Sequence, residues 1–64
     1  MRERWGDELR IARLRRRESQ AEAAAAVGVA GPTVHKAETG RASVDIYDRL
    51  ARYYELTLEL GQPA

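Results

Sequence analysis

The sequence predicts a mainly α-helical fold of four to five helices that ends in a short β-strand, and three observations support this. A capped, alanine-rich run, a glycine and a second short helix follow one another between residues 19 and 40. Apolar residues recur at helical spacing before and after that stretch. Residues 54–60 instead alternate apolar and polar side chains, which is typical of a strand. With 64 residues, the chain has room for one small domain.

The central stretch carries start and stop signals for two short helices. Ser19 and Glu22 have the spacing of a capping box, which predicts a helix that begins at residue 20. Gly28 is the expected stop, and Pro32 suits the first turn of the next helix. Two short helices joined by a glycine-containing turn form a helix-turn-helix unit, here residues 20–38. The side chains expected to face inward are those of Ala23, Val27, Val29, Val34 and Ala37, with Ala24 kept small where the two helices pass closest.

Flanking helices complete the predicted body. The first is expected from about Arg4 to Arg17, and Ser43 is expected to cap the last one. The inward stripe of the first helix is predicted to contain Trp5, Leu9 and Ala12, widened by Ile11 and Leu14. The inward face of the last helix is predicted to contain Ile46, Tyr47, Leu50, Ala51 and Tyr54.

Several of these residues together resemble the lambda-repressor/Cro class of helix-turn-helix proteins, the XRE family. The matching positions are Ser19-Gln20, Ala24, Gly28-Val29, Val34 and Glu38-x-Gly40, with Arg13 upstream and Leu50-Ala51 downstream. The resemblance implies that residues 1–64 form a lambda-repressor-like DNA-binding domain. It also implies that the second helix of the motif enters the major groove of double-stranded DNA.

The resemblance places the DNA contacts on that second helix and at its flanks. The matching residues are Gly31, Pro32, Thr33 and Lys36 with His35 nearby, and Gln20 and Arg41 as contacts to the DNA backbone. Gly31 has no side chain and Pro32 offers only apolar contacts, so Thr33 and Lys36 are the expected readers of bases. The alternative is that Gly31-Pro32 only shape the turn, in which case specificity would come from DNA shape.

Arg13 lies on the same side of the first helix as Leu9, so its guanidinium is expected to be half-buried. A buried charge needs a partner. The resemblance suggests Glu38, in a structural ion pair that would lock the first helix to the recognition helix.

The C-terminal segment suggests how two copies could associate. A single strand is not stable alone, and no other segment alternates, so the expected partner is the same strand of a second copy. The predicted dimer interface contains Tyr54, Leu56, Leu58 and Leu60. Cro-like repressors and HipB-like antitoxins, which the chain resembles, use C-terminal strands in this way. The alternative is a short fifth helix over Leu58–Leu60, capped by Thr57.

Charge and composition narrow the function classes. The net charge is only +1, but residues 1–18 hold seven arginines against four acidic residues. The run Arg15-Arg16-Arg17 suits either a helix C-terminus or contacts with phosphate. The chain has no cysteine, and His35 is its single histidine, so we expect no metal site, no cofactor and no enzyme activity. No apolar run could span a membrane and no leader is recognisable, so we expect a cytoplasmic protein, associated with the nucleoid through DNA.

The resulting hypothesis is a homodimeric transcriptional repressor that binds a palindromic operator in its own promoter. Its setting would be that of an antitoxin, with a toxin protein as a further partner, or of a Cro-like phage regulator. The competing hypothesis is a protein-interaction module that keeps the fold with little or no DNA binding. The low net charge and the side-chain-poor segment from Ala30 to Pro32 favour this second hypothesis.

Overall fold

Four α-helices surround one core in the computed structural model, which describes residues 2–56. They are α1 (Arg2–Arg15), α2 (Gln20–Val27), α3 (Gly31–Glu38) and α4 (Val44–Tyr53). The helices α2 and α3 form the predicted helix-turn-helix unit, while α1 and α4 pack against it. The mainly α-helical fold expected from the sequence is therefore confirmed for these residues.

The predicted boundaries of α2 are confirmed by its hydrogen bonds. The Ser19 hydroxyl accepts a bond of 3.0 Å from the Glu22 amide, and the Glu22 carboxylate accepts one of 2.8 Å from the Ser19 amide. At the other end Gly28 adopts φ +83°, and its amide donates to the Ala24 carbonyl at 2.8 Å. The Ser43 hydroxyl caps α4 by accepting a bond of 3.4 Å from the Ile46 amide.

The helix α1 is displaced from its predicted position by two residues at each end. It ends at Arg15 because Arg17 takes a left-handed conformation with φ 56°, and the Glu18 amide returns to the Arg13 carbonyl at 3.2 Å. The prediction that Ile11 and Leu14 widen the inward stripe is wrong, since these side chains are 47% and 49% exposed. At 3.6 residues per turn they lie about 160° and about 140° around the helix from the buried Leu9.

The core is built around one tyrosine from α4. Tyr47 is fully buried, packs edge-on against Trp5 with ring centroids 5.2 Å apart, and donates a hydrogen bond of 2.7 Å to the Ala37 carbonyl. A buried hydroxyl needs such an acceptor. The other large side chains that are fully buried are those of Leu9, Val34 and Leu50. Tyr47 therefore links the core directly to the C-terminal half of α3.

The helices α1 and α3 touch backbone to backbone at Gly6. A Cβ atom placed on Gly6 would lie 2.5 Å from the Glu38 carbonyl oxygen and 2.7 Å from that of Ala37. Only glycine permits this approach, because both neighbours are backbone atoms that cannot rotate away. No local pattern in the sequence singles out Gly6, since its requirement arises from helices that are distant along the chain.

The segment after α4 differs in part from the predicted strand of residues 54–60. Tyr54 and Glu55 form the turn that ends α4, with φ 58° at Glu55, and the Leu56 amide donates to the Ala51 carbonyl at 2.8 Å. A strand beginning at residue 54 is therefore wrong, and residues 2–56 contain no strand. The rest of the predicted strand, with Leu58 and Leu60, lies outside the described residues.

Candidate nucleic-acid interface

The helix α3 has one buried face and one exposed face. Val34, Ala37 and Glu38 are buried against the body of the protein. Pro32 and Lys36 are exposed on the opposite side. The outer face is thus fixed in position by the inner one, while its side chains remain accessible to a partner.

The N-terminal turn of α3 is held by the backbone rather than by a capping side chain. Ala30 is the N-cap residue and makes no side-chain cap bond, and its carbonyl accepts from the Thr33 amide at 3.0 Å. Pro32 occupies the first turn, as the sequence predicted. Thr33 is half-buried, so part of its side chain is accessible beside Pro32.

Gly31 is not required by packing within the protein. A Cβ atom added there would meet no heavy atom within 4 Å, in contrast to Gly6. The described part of the fold would accept a side chain at this position. The absence of a side chain therefore leaves open space in front of α3, into which another molecule could approach the backbone closely.

The C-terminal end of α3 positions the residue that follows it. The Thr39 hydroxyl donates to the Lys36 carbonyl at 3.0 Å, and the Arg41 amide donates to the same carbonyl at 2.8 Å. Gly40 between them has φ +81°, a conformation suited to glycine. Arg41 is exposed. These bonds hold the backbone of Arg41 against the end of α3 and leave its guanidinium accessible to solvent.

Arg13, Glu38 and Gln20 form a network that joins α1, α3 and α2. Arg13 donates to the Glu38 carboxylate through Nε at 2.6 Å and Nη2 at 3.1 Å, and its Nη1 reaches the Glu18 carbonyl at 2.8 Å. The hydrogen bond from Arg13 to Glu38 raises the pKa of Arg13, although burial acts in the opposite direction. Arg13 is 9% exposed and Glu38 8%. The pair is therefore a buried ion pair of bidentate geometry.

Gln20 joins this network at its edge. Its Nε2 donates to Glu38 Oε1 at 3.1 Å, the same oxygen that accepts from Arg13 Nη2. Gln20 is half-buried at the first position of α2. Its carboxamide is thus oriented by α3, which the sequence did not indicate because the two residues are 18 positions apart.

A second cluster joins the turn between α1 and α2 to the end of α4. The Arg16 guanidinium lies over the rings of Tyr53 and Tyr54, at 4.8 and 5.3 Å from their centroids. The Tyr53 hydroxyl donates a hydrogen bond to the Glu18 carboxylate. Burial, with a smaller contribution from the nearby Glu18 charge, raises the pKa of Tyr54 to about 12. Sequence reasoning missed this cluster, since a cation over two rings has no local sequence signal.

The remaining predicted site residues lie in three different settings. Pro32, His35 and Lys36 are exposed on α3, and Thr33 is half-buried beside them. Tyr54, predicted at a dimer interface, is only 6% exposed and belongs to the core, against which Leu56 packs. The described residues do not include the other two predicted interface positions, Leu58 and Leu60.

Residues 2–56 contain no cluster of three or more histidine, aspartate or glutamate side chains that could hold a metal ion. None of the four helices is long and apolar enough to span a bilayer.

Comparison with known proteins agrees with the geometry of α2 and α3. A family model described as a helix-turn-helix domain matches residues 4–61. No curated protein and no solved structure matches the chain. The matched range includes α2, α3 and α4 entirely and nearly all of α1. The chain therefore belongs to the helix-turn-helix domain family.

Proposed function

We propose that the protein is a sequence-specific DNA-binding transcriptional regulator that inserts α3 into the major groove. The observation that carries this proposal is the one-sided burial of α3. Val34, Ala37 and Glu38 fix the helix on the body, while Pro32 and Lys36 face outward. A recognition helix needs this combination of a rigid inner face and an accessible outer face, because docking into a groove tolerates little reorientation.

The outer face of α3 supplies the contacts to bases. Lys36 would donate to the acceptor atoms of guanine, and Thr33 would contact a base through its hydroxyl or methyl group. Pro32 would pack against a thymine methyl group. The open space at Gly31 supports this arrangement, because it allows the backbone of α3 to approach the groove closely.

The flanks of α3 supply the contacts to phosphates. Gln20 has its carboxamide fixed by Glu38, and Arg41 has its backbone fixed by the Lys36 carbonyl. His35 would lie beside the phosphate backbone. Such contacts position the protein on the duplex and carry no sequence information themselves.

The finer features of the proposal rest on the sequence. The protein would act in the cytoplasm as a homodimeric repressor of its own promoter, as an antitoxin with a toxin partner or as a Cro-like regulator. Its two α3 helices would enter half-sites of a palindrome about 34 Å apart. The alternating residues of the C-terminal segment support dimerisation. We propose no enzyme activity, because the sequence offers no set of acid, base and nucleophile.

A protein-interaction module is the second candidate function. The net charge of +1 and the few side chains between Ala30 and Pro32 favour it. DNA binding is dominated by phosphate contacts, so a domain with little excess positive charge has little non-specific affinity.

Titration onto DNA at two salt concentrations separates the two functions. A duplex from the protein's own promoter and a mixed-sequence duplex of equal length would be titrated at low and at moderate salt. A DNA-binding protein should prefer the promoter duplex and weaken steeply with salt through counterion release. No binding to either duplex, even at low salt, would contradict the regulator and favour the interaction module.

Substitution of Lys36 tests the role of α3. Lys36→Ala should weaken binding to the promoter duplex by roughly 1–3 kcal/mol, with a smaller effect on the mixed-sequence duplex. Arg49→Ala is the matched control, because it also removes an exposed positive charge but from α4. Equal losses in the two variants would mean that Lys36 contributes only through net charge.

A further inference from the structure

The turn between α1 and α2 places an arginine in a conformation that is costly for it. Arg17 has φ 56°, in the left-handed region where glycine is the favoured residue. Residues 2–56 contain only one other non-glycine residue with positive φ, Glu55. A side chain kept at such a position, where glycine would be easier, calls for a role of its own.

The surroundings of these two residues differ. The Glu55 carboxylate lies 3.9 Å from Arg16, which offers it a partner. Arg17 is exposed, and its guanidinium forms no hydrogen bond or ion pair with any residue that the structure describes. Contacts within the described part of the protein therefore do not account for the arginine at position 17.

The acidic residues near this turn make their hydrogen bonds and ion pairs with groups other than Arg17. Glu18 accepts from the Tyr53 hydroxyl, Glu22 accepts from the Ser19 amide, and Glu38 is paired with Arg13. Arg16 is likewise committed to the rings of Tyr53 and Tyr54. Arg17 forms no ion pair with any of these residues, although its sequence neighbour Glu18 keeps one carboxylate oxygen without a hydrogen-bond partner. Arg17 lies three positions before the half-buried Gln20 at the start of α2.

We propose that Arg17 contacts a DNA phosphate beside the backbone contact of Gln20, so that the turn between α1 and α2 extends the DNA-binding surface. The inference rests on the proposed function, since it requires that α3 docks into a duplex. An exposed guanidinium next to the start of α2 can reach the phosphate backbone that flanks the groove. Arginine is suited to this contact because its planar guanidinium can bind two phosphate oxygens at once.

The contact has a measurable electrostatic signature. Each phosphate neutralised by a cationic side chain contributes about −0.9 to the slope of log K against log salt. Relative to 1 M salt, one such contact raises the affinity about eightfold at ~0.1 M salt. Loss of the Arg17 contact should therefore make the slope less negative by about 0.9 per bound subunit. It should also weaken the affinity at ~0.1 M salt by about eightfold per bound subunit.

Arg17→Gly tests the proposal, because it separates binding from folding. Glycine accepts the left-handed conformation freely, so the midpoint of thermal unfolding should stay the same or rise. Binding of this variant to both the promoter duplex and the mixed-sequence duplex should weaken. Its affinity should also depend less steeply on salt than that of the wild type. Arg17→Lys should keep the slope of the wild type, since it keeps the charge.

Arg15→Gln is the control for net charge. Arg15 is exposed at the end of α1, two residues away, and its guanidinium has no partner among the described residues. Its loss should leave the salt slope unchanged, whereas Arg17→Gln should lower it. Two results would overturn the proposed contact even if the wild type binds the promoter duplex and so upholds the regulator. One is an unchanged salt slope in Arg17→Gly. The other is a decrease in salt slope that is as large in Arg15→Gln as in Arg17→Gln. If the wild type binds neither duplex, both the regulator and the contact are wrong.

Discussion

Replacing Gly6 by alanine should destabilise the protein, although alanine is the better helix former. Gly6 lies inside α1, where alanine is favoured over glycine by about 1 kcal/mol. The added Cβ would sit 2.5 Å from the Glu38 carbonyl oxygen, which is about 0.9 Å inside the ~3.4 Å at which ordinary contact begins. Because the neighbours are backbone atoms, α1 and α3 must move apart to make room.

The size of the effect follows from these opposing terms. Overpacking of a close-packed interior costs typically about 1–3 kcal/mol, and a contact between two backbones belongs at the upper end. Subtracting the gain in helix propensity leaves a net loss of about 1–2 kcal/mol. For a domain of this size the midpoint of thermal unfolding should fall by about 4–16 °C. Thermal unfolding followed by circular dichroism measures this directly.

Gly31→Ala is the matched control for this experiment. It makes the same chemical change at the start of α3, where an added Cβ meets no heavy atom within 4 Å. Its midpoint should be unchanged or higher by a few degrees, since alanine restricts the unfolded chain more than glycine does. A Gly6→Ala protein as stable as the wild type would refute the close contact between α1 and α3.

Further substitutions test the ion pair, the dimer and the buried tyrosine. Glu38→Gln should cost about 3–5 kcal/mol in the free energy of unfolding measured with urea, because it leaves Arg13 buried without its counter-charge. Arg13→Met combined with Glu38→Gln should cost less than the sum of the two single changes, and strict additivity would argue against the pairing. Leu58→Lys should shift sedimentation toward the monomer, since it would place a charge in the proposed dimer interface. A dimer as stable as that of the wild type would mean that the interface lies elsewhere. Folding raises the pKa of Tyr54 from 10.0 to about 12. The stability that the protonated Tyr54 contributes is therefore complete below pH 10 and is lost as the pH rises toward 12. Tyr54→Phe should make the free energy of unfolding, measured with urea at alkaline pH, decline less steeply with pH.

The sequence determined the local features of the fold. The capping box at Ser19, the left-handed Gly28 and the proline in the first turn of α3 each act through neighbouring residues. Their geometry depends on contacts within about one helical turn, so a pattern of residue types suffices to predict it. The helical spacing of Val34 and Ala37 likewise suffices to predict which face of α3 turns inward, and the structure buries both.

The contacts that build the site could be predicted from the sequence only in part. The family resemblance suggested that Arg13 and Glu38 would meet, and the structure brings them together. The resemblance did not suggest that Gln20 shares the same carboxylate. A hydrogen bond between residues on different helices depends on how those helices pack, and hydrophobic periodicity does not specify that.

Where the helices press against one another depends on how the whole chain packs. Helical spacing alone assigned Ile11 and Leu14 to the core, but α3 and α4 cover a narrower stripe of α1 and leave both exposed. Likewise, Gly6 has no distinguishing neighbours in the sequence of α1, yet it lies where the backbone of α3 leaves no room for a side chain. Local propensity sets which residues become helical, whereas the crossing of two helices sets which side chains fit between them, and that crossing is a property of the whole packed core.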